Sequence, residues 1–151
     1  MNRRELIRSA TLATASSIAA VAFAQNNETT SSMQHHHNWD AKYAGLAAAA
    51  ADCATKADAC TEHCQEALSA GDNTYVNCLK PSAEVATACD ALRKLAAQNA
   101  TITPKMASVA LQACKTCEEQ CRKHEKDPVC KACADSCDAC AKECEKAAHT
   151  A

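Results

Sequence analysis

The chain has only two glycines and three prolines, and aromatic residues make up 3% of it. So few turn formers exclude a sandwich or barrel of short strands, which needs a turn signal every ~8 to 12 residues, and they exclude collagen-like and Gly-rich repeats. Charge of one sign is lacking too. Sixteen basic residues against 18 acidic ones leave a formal net charge of −2, which gives no basic footprint for nucleic acid and no polybasic surface for a membrane. No Gly-rich phosphate loop is present, and no nucleophile, base and orienting group form one pattern. Reactive-thiol catalysis needs one distinguished low-pKa cysteine rather than many similar ones, so the chain is not read as an enzyme. Large apolar side chains are also scarce. The hydrophobic share is 48%, yet 36 of the 72 residues behind it are Ala and 13 are Cys. With so little Leu, Ile, Val and Phe to fill a core, the chemistry must lie in the cysteines.

Residues 1–24 read as a targeting peptide: a charged start (Arg3, Arg4, Glu5, Arg8), a weakly apolar stretch from Ala10 to Ala24, and the small-residue exit Ala22-Phe23-Ala24. Adjacent Arg3 and Arg4, followed after one residue by Leu6, Ile7 and Arg8, match the twin-arginine export pattern, although Asn2 and Leu6 replace commoner residues. The expectation is an exported, periplasmic or otherwise extracytoplasmic protein starting at Gln25. As a membrane span the apolar stretch is too short and too rich in Ser and Thr, so no membrane insertion is expected. Cleavage leaves 13 basic and 17 acidic residues, a mildly acidic net of −4. Residues 25–38 are polar and aperiodic, hold Met33 and the run His35-His36-His37, and read as a flexible tail. Residues 39–151 are the expected domain.

Four helices are expected in that domain. The first starts near Trp39 or Asp40 and stops at Gly71, a residue suited to a left-handed C-terminal cap. Residues 73–79 read as a short helical turn, and Pro81 as the first turn of a second helix running to about Asn99. Thr103-Pro104 reads as an N-cap with Pro at the first helical position, opening a third helix to about Glu125. Asp127-Pro128 repeats the device for a fourth helix ending near Ala148. Short connections make consecutive helices antiparallel, so the fold class is all-α, an up-down-up-down four-helix bundle.

At ~100° per residue the cysteine directions follow from spacing alone. Cys53, Cys60 and Cys64 fall within about 40°, Cys114, Cys117 and Cys121 within about 60°, and Cys130, Cys133, Cys137, Cys140 and Cys144 within about 80°. The second helix contributes Cys89, while Cys78, ahead of Pro81, closes one end. Lys131, Asp135, Asp138, Lys142 and Glu145 occupy the opposite side of the fourth helix, so the stripes point inward. The bundle axis is then lined with thiols for about 20 Å.

Disulfides are the ordinary use of cysteine outside the cytoplasm, and a disulfide-laced structural protein is one alternative. Three features weigh against it. Thirteen is odd, bonds between consecutive turns of one helix constrain the unfolded chain very little, and four well-capped helices do not need staples. An iron–sulfur electron-transfer protein is the other alternative, but its cysteines usually come from loops that wrap a cluster. Thiolates with no imidazole or carboxylate on the same face select Cu(I), Zn(II) or iron–sulfur clusters, and structural zinc wants four ligands converging once or twice, usually from loops or a knuckle. The repeated spacing is C-x3-C, at Cys60/Cys64, Cys117/Cys121, Cys133/Cys137 and Cys140/Cys144. It places two sulfurs on one helix face, about 6 Å apart at Cβ. Such a pair grips an ion of low coordination number, which fits Cu(I), and a continuous ladder holds multiple ions per chain.

These elements together, Arg3-Arg4, the four C-x3-C pairs, thirteen cysteines on four helices and a His/Met-bearing tail, resemble the copper storage proteins, in particular their twin-arginine-exported branch from methane-oxidising bacteria. The resemblance covers essentially the whole mature chain. It implies Cu(I) held inside the bundle by C-x3-C pairs and cross-helix thiolates, a homotetramer, and a role supplying copper to a cuproenzyme such as membrane methane monooxygenase. In an up-down-up-down bundle, Met33, His35, His36, His37, Met106 and His149 gather at one end, where Met33, the three histidines and Met106 are candidate ligands for incoming copper. His63 and His124 are expected to contact solvent at the other end. Trp39 and Tyr43 are expected to pair at the first helix start.

Overall fold

The structure is a computed structural model that describes residues 42–149. It contains α1 (Ala44–Ser69), α2 (Val76–Ala97), α3 (Thr103–Arg122) and α4 (Pro128–Ala148). Each helix packs against its two neighbours in a closed ring, α1 on α2 and α4, α3 on α2 and α4. This is the expected antiparallel bundle. Among the described residues no helix is long and apolar enough to cross a membrane. The signal segment, the tail with Met33 and His35 to His37, and the Trp39 partner of Tyr43 lie outside the described residues.

Turn chemistry explains where the helices stop. Gly71 has φ 83°, and beyond α1 the Asp72 N–H donates to the Ala67 carbonyl at 2.9 Å while the Gly71 N–H donates to Leu68 at 3.0 Å. This is the two-bond closure that a left-handed residue after a helix permits. Asn99, with φ 48°, closes α2 in the same way, Ala100 N–H reaching Leu95 at 3.0 Å and Asn99 N–H reaching Ala96 at 3.1 Å. At the start of α4 the Asp127 carboxylate accepts from the N–H groups of Val129 and Cys130, at 2.9 and 3.0 Å. Pro128 follows at the first helical position, where no N–H is needed.

Four expected boundaries are corrected. α1 starts at Ala44, with Tyr43 as its N-cap, rather than near Trp39 or Asp40. α2 starts at Val76, so Pro81 lies inside the helix and the separate turn at 73–79 merges into it. Helical N–H groups near a start have no intrahelical acceptor, so a proline six residues in removes one bond, the one to Asn77. Burial of Cys78 and the hydroxyl of Ser82, which donates to the Leu79 carbonyl at 2.9 Å, hold that turn in place. Thr103 is not an N-cap. Ile102 takes that position without a side-chain bond, and Thr103 points into the core as the first helical residue, its hydroxyl without a partner. α3 ends at Arg122, so its link to α4 spans residues 123–127.

The core follows the composition. It consists of all thirteen cysteines, ten alanines, and only Tyr43, Leu46, Val85 and Leu92 as large side chains. Ion pairs brace the outside: Arg122 on α3 reaches Asp135 on α4 at 2.6 Å, and Lys115 reaches Glu145 at 2.9 Å. Such exposed pairs contribute ~1 kcal/mol or less each.

Candidate metal centre

Every one of the thirteen sulfurs predicted to face inward does so, each cysteine being fully buried. All are free thiols, and their closest approaches, from 3.7 Å, are contacts rather than bonds. Helix periodicity brings them together: a residue three or four positions along returns to the same face, so each stripe climbs the axis as its neighbour descends.

Near the Cys144 end, Cys140 Sγ lies 3.9 Å from Cys144 and 3.8 Å from Cys89, and Cys89 lies 3.9 Å from Cys114. Cys53, Cys89, Cys114 and Cys140, one from each helix, all lie within 4.8 Å of one another. Cys53 touches Cys137 at 3.8 Å, and Cys137 shares a triad with Cys117 and Cys133. Cys117 meets Cys133 at 3.7 Å and Cys121 at 3.8 Å, and Cys121 meets Cys60 at 3.8 Å. A second triad joins Cys60, Cys121 and Cys133. Ten sulfurs thus form an unbroken column, with Cys64, Cys78 and Cys130 continuing the buried set beyond Cys60. Of the four C-x3-C pairs, Cys117/Cys121 and Cys140/Cys144 come within 4 Å.

Protons are unevenly held along this column. Cys114 first, then Cys137, stabilise the thiolate of Cys53 and bring it down to about 5. Cys117 pushes Cys133 up, but Cys121, Cys137 and Cys60 together outweigh it and hold it at about 5. Cys114 and Cys144 likewise lower Cys140. Cys89 is pushed up by its contacts with Cys114 and Cys140, as is Cys137 by Cys114 and Cys117. Toward the far end burial is the leading cause: Cys64 and Cys78 are raised, and Cys130 is pushed up to about 12, with Cys121 and the Asp127 carboxylate adding to the effect. Thiolates are the species that bind metal, so an arriving ion displaces protons from these buried thiols.

The two ends of the bundle differ. At the starts of α1 and α3 the buried residues are Tyr43, Leu46, Leu92, Ala96, Thr103, Ala107 and Ala147, a plug without a thiol. Met106 is half-buried there, packed against the core and lining a groove with Ala83, Thr87 and Val109 on the outside of α2 and α3. At the opposite end His63, Asp127 and Cys130 lie within 4.8 Å of one another, His63 Nε2 being 3.4 Å from Asp127 Oδ2 with no hydrogen bond of its own. The Tyr75 ring stands between two histidines, its centroid 4.7 Å from His63 and 5.2 Å from His124. Burial alone would raise the Asp127 carboxyl, but the Cys130 N–H, His63 and the Val129 N–H lower it. His63 keeps the expected solvent contact, with 27% of its side chain exposed, while its buried Nε2 joins Asp127 and Cys130 in a three-donor group. Sequence spacing held half of this signal: Asp127 caps α4 three residues before Cys130, which sets a carboxylate above that thiol.

The family model for copper storage proteins matches residues 39–149. Among curated proteins the chain has no match.

Proposed function

Since the chain belongs to the copper storage protein family, a family of storage proteins rather than enzymes, we propose that it stores Cu(I), many ions per chain, on the thirteen thiols of the bundle. The observation that carries this reading is the unbroken column of ten sulfurs, with neighbours 3.7–3.9 Å or at most 4.8 Å apart. Cu(I) takes two or three soft ligands, and thiolates so close can bridge successive ions, so the arrangement provides capacity rather than one precise site. Pairs on one helix and pairs across helices both supply ligands.

Copper enters and leaves at the His63 end. There an imidazole, a carboxylate and Cys130 lie at the mouth of the column, whereas the other end is closed by Tyr43, Leu46 and Leu92. Met33, His35, His36, His37 and Met106 are further candidate ligands for incoming copper.

The mature protein works outside the cytoplasm, having crossed the membrane already folded by the twin-arginine route directed by Arg3 and Arg4. Folding first shields the thiols from oxidation. A homotetramer is the working assembly, and a cuproenzyme such as membrane methane monooxygenase is the recipient.

An anaerobic titration of the reduced protein with Cu(I) in the presence of a competing chelator tests the reading. Uptake of many ions per chain, with the thiols consumed in parallel, is expected. Saturation at one or two ions, or visible colour accompanied by inorganic sulfide, overturns it.

A further inference from the structure

One layer of the column has a geometry that copper storage does not require. Cys53, Cys89, Cys114 and Cys140 each come from a different helix and lie within 4.8 Å of one another, with Cys89 3.9 Å from Cys114 and 3.8 Å from Cys140. Four sulfurs placed about 2.3 Å from a central ion stand about 3.8 Å apart at the corners of a tetrahedron. Two of the six spacings in the layer, 3.9 and 3.8 Å, are already close to that figure, and the others lie within 4.8 Å. Cu(I) is satisfied by two or three thiolates, but a closed tetrahedral set of four is what a divalent d10 ion takes in a structural site. The other all-thiol groups among the described residues have three members each and share Cys133, so neither supplies four donors. All four cysteines of the layer are fully buried, so no water completes or opens the site.

We infer that this layer is a tetrathiolate site for one divalent cation of the Zn(II) class, occupied when the bundle is empty of copper. The benefit is mechanical. A core of alanines and thiols has few large side chains to join its helices, and one ion bound by all four helices joins them at a single level. Incoming Cu(I), the softer ion, expels it as the column fills.

Co(II) is the probe, because a tetrahedral tetrathiolate gives strong sulfur-to-cobalt absorption and intense visible bands that an octahedral aqua ion lacks. Reduced, metal-free protein titrated anaerobically with Co(II) should develop that spectrum with a break at one equivalent. One equivalent of Zn(II) should bleach it, and Cu(I) added to the Zn(II) form should release one Zn(II). Cys89→Ser should bind Co(II) at least tenfold more weakly with a changed spectrum. Cys78→Ser, outside the layer, should retain the spectrum. Far-UV circular dichroism showing undiminished helix is the check that Cys89→Ser folds. Absorption of octahedral type only, a break at several equivalents, or an unchanged spectrum in Cys89→Ser overturns the inference. Copper capacity is read separately, so a protein that fills with Cu(I) but fails the Co(II) test sinks this inference alone, and one that fails the Cu(I) titration sinks the storage reading.

Discussion

Cys130 shows how one residue carries two roles. Its N–H helps to cap α4 through Asp127, and its buried thiol is pushed from the ordinary 9.0 up to about 12, first by burial and then by Cys121 and Asp127. The fold thus favours the protonated thiol, so this contribution to stability is fully present below about pH 9 and is lost as pH rises through 12. Reduced metal-free protein, unfolded in urea under anaerobic conditions, should become less stable from pH 9 upward, and Cys130→Ala should reduce the slope. A flat profile would contradict the assignment. Burial of the cysteines on α3 and α4 was legible because Cys recurs there at three- and four-residue spacing, on α4 opposite a charged face. The role of His63 was not, because its donors come from α1 and from the cap of α4, two segments brought together only by the bundle.

At the level of the helix, the caps decide what the sequence discloses. Gly71 and Asp127-Pro128 act through backbone chemistry that each residue carries by itself, and both stand where their types imply. Pro81 and Thr103 depend on tertiary packing. A proline near a helix start is compatible with either the first or the second turn, and burial of Cys78 selects the second. A threonine before proline is a cap by type, but its place facing the core makes it a buried N-terminal residue. Asp127→Ala removes the one side-chain cap that bonds two N–H groups at the start of α4. It should cost the metal-free protein about 1 kcal/mol in urea denaturation, whereas Asp127→Asn should recover most of the loss. Equal stability of the Asp127→Ala variant and the wild type would mean that the cap contributes nothing.

For the whole molecule, the up-down-up-down topology follows from four periodic segments and short links, and it was legible for that reason. The topology also puts a plug of Tyr43, Leu46 and Leu92 at one end and His63, Asp127 and Cys130 at the other. This asymmetry was hidden because His and Met are concentrated at the N-terminal end of the sequence, whereas the donors at the other end are scattered along it. Export belongs to this scale as well. Replacing Arg3 and Arg4 together by Lys should leave the protein in the cytoplasm with its signal uncleaved, as fractionation would show, and undiminished export would contradict the twin-arginine route.

Thiols stand where a bundle ordinarily has leucine, so that in the proposed storage role filling the column with copper completes the core. Ligands that bind only the folded state stabilise it by mass action, and structural metal sites contribute directly to folding. The direct test is anaerobic thermal unfolding of the reduced protein at successive Cu(I) to protein ratios. The melting temperature should climb across many equivalents and level off only at the capacity found by titration. A melting temperature that does not move, or that stops rising after one or two equivalents, would contradict the account.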